Sequence, residues 1–179
     1  MDLKEKTLNS QDIYSGRIIT VRVDTVELPD GRTGTREIVE HAGAVGIIPI
    51  DDQGNVWMVR QYRKPVEQVL LEIPAGTMEA GEEPLACAQR ELEEETGFIA
   101  EQWEKIIGYY SAPGFCNEYL HLYIATKLYR GVANPDQDEF LEKTYLPLEE
   151  AYQGIFRGQI VDGKSIIALQ YAYQRYIQS

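Results

Sequence analysis

Glu82, Glu91, Glu94 and Glu95, with Arg90 among them, are the residues of this chain best suited to chemistry. If residues 84–96 are helical, Glu91 and Glu95 stand on one face, one turn apart, and Glu94 borders that face. Like charges so placed repel one another. A bound cation converts the repulsion into coordination. Hard cations such as Mg²⁺ take oxygen ligands in octahedral geometry. Two carboxylates, a backbone carbonyl and waters leave room for phosphate oxygens. Arg90 is placed to orient a neighbouring carboxylate, and Glu82, in the loop before the helix, can fold back onto the same cluster. The competing reading is a solvated acidic helix face, the usual meaning of a charge run.

The elements that must hold these residues can be read from the pattern around them. Pro84 in the first turn and Gly97 just past Thr96 bound the helix. Leu85, Ala88 and Leu92 form its apolar side. Upstream, residues 17–28 alternate as a strand, Pro29-Asp30-Gly31 marks a turn, and Thr35 to His41 reads as the returning strand. Ala44–Ile50 and Val56–Tyr62 are strongly apolar strands separated by a loop at residues 51–55. Val69–Ile73, Ile106–Tyr110, Tyr119–Ala125 and Phe140–Leu146 are further strands. Leu148–Phe156 reads as a short helix and Asp162–Ile177 as a long amphipathic one, with Ile166, Leu169 and Tyr173 on one face. Mixed strands with few helices, mostly late in the chain, predict an α+β fold or an α/β/α sandwich.

Composition narrows the function classes. The chain has 179 residues, 44% of them hydrophobic and 26% charged, which suits one globular domain or one with an N-terminal extension. Its 29 acidic and 17 basic side chains give a net charge of -12. That surface repels nucleic-acid phosphates, so no nucleic-acid partner is expected. It also repels a phosphate-bearing substrate unless a divalent cation intervenes. Cys87 and Cys116 make no disulfide framework. His41 and His121 have no metal-ligand spacing. The charged N-terminus lacks a signal-peptide core, and no apolar run is long enough to span a bilayer, so no membrane partner and a cytoplasmic location are expected. Ser111 lacks a nucleophile-elbow context. No GKS or GKT follows Gly76, so the glycine-rich stretch is not a P-loop.

Gly76, Glu82, Arg90-Glu91-Leu92, Glu94-Glu95, Gly97 and Phe98 stand at the spacing of the Nudix box, and the chain resembles the Nudix hydrolase family. Phe98 is the one softer match, where the family more often has an aliphatic residue. The resemblance implies an α/β/α sandwich with a mixed central sheet. It also implies Mg²⁺, or alternatively Mn²⁺, bound by Glu91 and Glu95, with Glu94, Glu82 and the Ala75 carbonyl as further ligands. Arg90 then orients the glutamates, and the chemistry is hydrolysis of a nucleoside diphosphate linkage.

Outside the box, Pro113 within Ser111-Ala112-Pro113-Gly114-Phe115 resembles the ADP-ribose pyrophosphatase subgroup, as does Leu71-Glu72-Ile73-Pro74-Ala75-Gly76. That resemblance implies hydrolysis of ADP-ribose to AMP and ribose 5-phosphate. It makes Arg36, Arg60, Arg63, Pro113, Gly114 and Glu118 the candidate substrate-binding residues. Arginine suits phosphate because its planar fork donates two hydrogen bonds at once; surface charge pairing is the alternative for all three. Tyr14 and Tyr62 are candidates to stack on adenine. The general base is expected from the acidic stretch 134–139, with Glu139 first, then Asp138 and Asp136, and Glu118 as another candidate. The subgroup also implies a homodimer that exchanges N-terminal strands, with residues 1–42 as a β extension and 43–179 as the catalytic domain. The alternatives are a Nudix hydrolase of another nucleoside diphosphate derivative, such as a nucleotide sugar or dinucleotide cofactor, and a nucleotide-sensing module without catalysis.

Overall fold

The computed structural model describes residues 2–131 and 140–178. The chain forms two compact units: residues 1–43 with 110–119, and residues 44–109 with 120–179. No helix among the described residues is long and apolar enough to cross a membrane.

The first unit is built on a three-stranded antiparallel sheet in the order β1 (Lys6–Ser15), β2 (Ile19–Glu27), β3 (Thr33–His41). The β2–β3 hairpin turns at Gly31, whose φ of 83° lies in the region glycine enters without strain. β1 is a strand that the hydrophobic pattern does not announce. Its sequence KTLNSQDIYS is exposed along its whole length, so no face selects for apolar residues. Backbone pairing holds it, helped by Ser10 Oγ donating to the buried Asp24 at 2.7 Å. The 110–119 stretch joins β3 through Val39, whose N–H donates to the Phe115 carbonyl and whose carbonyl accepts from Asn117 N–H.

The second unit is a sandwich around a mixed four-stranded sheet in the order β7 (Ala75–Thr77), β4 (Ala44–Pro49), β9 (Tyr119–Arg130), β8 (Phe98–Tyr110). β4 runs antiparallel to β7 and parallel to β9, with Ala44 opposite Leu120. A second sheet, β10 (Leu141–Pro147), β5 (Asn55–Arg63), β6 (Gln68–Glu72), is antiparallel. Every residue of β4 is buried. A strand covered on both faces reads as a continuous apolar run, which is why Ala44–Ile50 shows no alternation.

The two faces carry separate cores. Val45, Ile47, Tyr123 and Ala125 pack with Cys87, Ala88 and Leu92 of α1 (Pro84–Thr96). Ile48, Leu122 and Ile124 pack with Ala168, Leu169 and Ala172 of α3 (Gly163–Tyr176) and with Ala151 of α2 (Leu148–Phe156). Each fully buried Ile or Leu here contributes about 1.5–3 kcal/mol. One expectation is corrected: Leu85 is exposed, and Cys87 takes its place on the packed side of α1. Glu91 and Glu95 are also buried, at 8% and 4% exposure, so the acidic face is not a solvated one.

Candidate active site on the acidic helix

The start and end of α1 follow from its sequence. Pro84 at the first helical position lacks an N–H that would have no partner there anyway. Gly97 closes the helix in the left-handed conformation, φ 69°, and its N–H donates to the Glu93 carbonyl at 2.7 Å. The last turn has no basic residue of its own. Lys143 of β10 supplies one, donating from Nζ to the Thr96 carbonyl at 3.0 Å, where positive charge suits the helix dipole.

The Arg90 guanidinium gathers the acidic side chains. Nε and Nη2 donate to Glu82 at 3.0 and 3.1 Å, and Nη1 donates to Glu91 at 2.7 Å and Glu94 at 2.9 Å. Glu82 therefore folds back from the loop onto the helix, and its Oε2 also accepts from Glu79 N–H at 3.0 Å. The Arg90 hydrogen bond holds the Glu82 carboxyl at about 2, so it is ionised at neutral pH. Arg90 is in turn raised above the usual arginine range, first by Glu82 and then by Glu91. Beside it, burial pushes the Cys87 thiol up to about 12, which keeps it a neutral packing group.

Glu95 belongs to the same face but is fixed differently. Its Oε2 accepts the Ala75 N–H at 3.1 Å, tying the helix to β7. Next to Ala75, Gly76 has a steric reason to be glycine: a Cβ there would stand 1.9 Å from the Glu91 carboxyl carbon. The loop and the carboxylate share that space.

This donor set suits a hard divalent cation. All its side-chain donors are carboxylate oxygens, Arg90 supplies one positive charge against three carboxylates, and the backbone approaches closely at Gly76. The described residues hold no ready-made convergence of three acidic, histidine or cysteine ligands, because Glu82, Glu91 and Glu94 are spread around the guanidinium.

The other predicted residues fall in several places. Arg63 is committed to a buried partner: Nε and Nη2 each donate to Glu72 at 2.8 Å, a two-pronged contact that raises the arginine further. Arg60 is exposed on β5, 3.7 Å from Glu142. In the first unit, Arg36, Pro113 and Gly114 line one cavity of about 470 Å³ together with Glu5, Tyr110 and Asn117. Arg36 there pairs with Glu5 through Nε at 2.9 Å. Glu118 stands 3.6 Å from His41 Nδ1, which also accepts the Gly43 N–H. Tyr14 and Tyr62 are exposed. Glu139, Asp138 and Asp136 lie outside the described residues.

Sequence reasoning assigned no role to Glu72, Asp162, Lys164 or Ser165, which form a second polar cluster. Glu72 is 1% exposed. Burial alone would raise its carboxyl, but the hydrogen bond from Arg63 and the charge of Lys164 outweigh that and hold it below the usual range. The available signal was a lone charge in the run Val69-Leu70-Leu71-Glu72-Ile73.

With the geometry in view, known proteins give a consistent answer. The NUDIX domain pattern matches residues 40–168, and that of the nucleoside diphosphate sugar hydrolase N-terminal domain matches residues 5–39. A methanol dehydrogenase activator from Bacillus methanolicus is 48% identical, with 94% of this chain and 92% of that protein covered. An ADP-ribose pyrophosphatase from Bacillus subtilis is 43% identical over the same shares. A crystal structure of an ADP compounds hydrolase superposes with a TM-score of 0.85 at 25% identity, covering 96% of this chain and 94% of that one. The acidic helix, its glycine-bounded loop and the mixed sheet beneath them are those of a Nudix hydrolase, and this chain belongs to the Nudix family.

Proposed function

We propose that this protein hydrolyses ADP-ribose to AMP and ribose 5-phosphate. The observation that carries the reading is the gathering of carboxylates at α1: one guanidinium faces Glu82 of the preceding loop and Glu91 and Glu94 of the helix, and Glu95 adds a fourth carboxylate. Enzymes of this family generally act with divalent metals. Here Mg²⁺, or Mn²⁺, would be held by Glu91 and Glu95, with Glu94, Glu82 and the Ala75 carbonyl in support. When bound, it neutralises diphosphate oxygens and makes a bound water more acidic.

The chain's own residues do the rest. Arg90 keeps Glu82 ionised and orients Glu82, Glu91 and Glu94. The Ala75 N–H holds Glu95 in one rotamer. Arg60 binds substrate phosphate or ribose oxygens, as does Arg36 in the first unit, where Pro113 and Gly114 line the same cavity. Arg63, for which the same role is proposed, does so while keeping its two-pronged contact with Glu72. Glu139 accepts the proton of the attacking water, with Asp138, Asp136 and Glu118 as the alternatives. Glu139→Gln should then slow turnover about a hundredfold or more while Mn²⁺ binding stays near wild type. Wild-type turnover would shift the base to one of the other three. Exposed Leu8, Ile13 and Tyr14 on β1 support a homodimer that covers this strand.

The test is a product assay with Mg²⁺, comparing ADP-ribose with ADP-glucose, GDP-mannose, NADH and nucleoside triphosphates, each repeated with chelator. Chelator-sensitive release of AMP from ADP-ribose, well ahead of the others, is expected. The match of residues 5–39 to the N-terminal domain of nucleoside diphosphate sugar hydrolases favours a second reading, a nucleotide sugar as substrate. Faster cleavage of ADP-glucose or GDP-mannose would replace the first reading with this one. Nucleotide binding with no turnover of any compound would point to a sensor.

A further inference from the structure

The second polar cluster sits at the start of α3 and is joined to the strand segment that leads into the acidic helix. Residues 72–75 are tied down one after another. Glu72 receives Arg63 on one side and Lys164 Nζ on the other. Ile73 N–H donates to Ser165 Oγ at 2.9 Å. The Pro74 carbonyl accepts from Ile47 N–H at 2.8 Å. Ala75 N–H then donates to Glu95 at 3.1 Å.

The anchor for this series is itself fully engaged. Ser165 is completely buried, and its hydroxyl passes the bond on by donating to Asp162 Oδ2 at 2.6 Å. Asp162 also caps α3 by accepting Ser165 N–H at 3.0 Å, and Lys164 Nζ lies 3.0 Å from the same carboxylate. A neutral N–H thus ends, through one hydroxyl, on a charged acceptor, which makes the bond stronger and more directional. Two cations and two carboxylates balance here, so nothing in the cluster calls for an ion from solution.

We propose that Lys164 and Ser165 are positioning residues for the metal-binding carboxylates: they fix residues 72–75 so that the Ala75 N–H and carbonyl stand correctly for Glu95 and its ion. The proposal rests on the assignment of Glu91 and Glu95 as metal ligands. Groups that orient ligands from behind typically affect metal affinity about 10–100-fold.

The experiment measures Mn²⁺ affinity by electron paramagnetic resonance, alongside kcat and KM for ADP-ribose, in the full chain. Ser165→Ala and Lys164→Met should each bind Mn²⁺ about tenfold more weakly and lose kcat to a similar extent, with little change in KM. Lys164→Arg, which keeps the charge, should recover most of the affinity. Ile166→Ala, in the same turn of α3 but packed on the apolar core, should lower the melting temperature and leave Mn²⁺ affinity intact. A folded Ser165→Ala with wild-type Mn²⁺ affinity and kcat would overturn the proposal. If that variant does not fold, wild-type values for Lys164→Met would overturn it instead. Glu95→Gln run in parallel separates the two ideas: undiminished Mn²⁺ binding there would remove the metal-site assignment itself.

Discussion

Two arginines in the second unit each grip glutamate, and the difference between them separates chemistry from architecture. Around Arg90, one guanidinium serves three carboxylates, Glu82, Glu91 and Glu94. Around Glu72, Arg63 and Lys164 face Glu72 and Asp162, and the charges cancel. Burying charge is costly unless it is paired and hydrogen-bonded. A balanced cluster meets that condition alone. An unbalanced one is helped by a cation, which is what the proposed metal site supplies. Counting charges in a cluster is therefore more informative here than noting that a cluster exists.

The largest effect is expected at Glu95. Glu95→Gln should reduce turnover by orders of magnitude with the circular dichroism spectrum unchanged; undiminished turnover would mean the surplus charge is not the site. Arg90→Lys should follow. A single ammonium cannot bridge three carboxylates as a planar fork does, so kcat should fall about 10–100-fold while the melting temperature moves little. Gly76→Ala tests the shared space in the same cluster. Its Cβ would displace the flexible end of Glu91, so Mn²⁺ affinity should fall while thermal stability changes little, and unchanged affinity would mean Glu91 is not held there.

The balanced cluster should respond in the opposite sense. Glu72→Gln should cost about 2 kcal/mol of stability, somewhat reduced because Arg63 is partly exposed, and should have a smaller effect on kcat than Glu95→Gln. The Glu72 carboxyl is held below its ordinary value in the folded protein, so its contribution is complete above that ordinary value and is lost as pH falls through the folded one. The melting-temperature gap between wild type and Glu72→Gln should therefore close as the solution is acidified below about pH 4.5. A gap independent of pH would place the effect in packing.

The same contrast explains what the sequence could disclose. The Arg90 cluster is local: its members lie within two turns of helix and one loop, so helical spacing alone brings Glu91, Glu94 and Glu95 together. Pro84 and Gly97 fix the helix ends by backbone chemistry, and the expected span is the observed one. The Glu72 cluster is not local. Lys164 and Ser165 reach it only because α3 packs on the sheet, and no spacing rule links residues so far apart. Arg63 reads as a substrate-binding candidate or a surface ion pair, and its buried partner Glu72 on the next strand is not legible from spacing. β1 escaped because an exposed strand needs no apolar rhythm, and the first half of β8 because its run EQWEK is mostly polar.

The parallel pairing of β4 with β9 has a consequence in time. Ala44 must find Leu120, and between them lie the second hairpin, the glutamate-bearing helix and β8. Contacts so distant in sequence form slowly, since the intervening loop must close before they stabilise anything. During synthesis the acidic helix is finished well before the strand that completes its supporting sheet. Its greasy side, Cys87, Ala88 and Leu92, then lacks Tyr123 and Ala125 of β9 to lie against. The nascent chain is most exposed to misassociation in that interval, and it ends only when residues 120–125 emerge and the sheet closes.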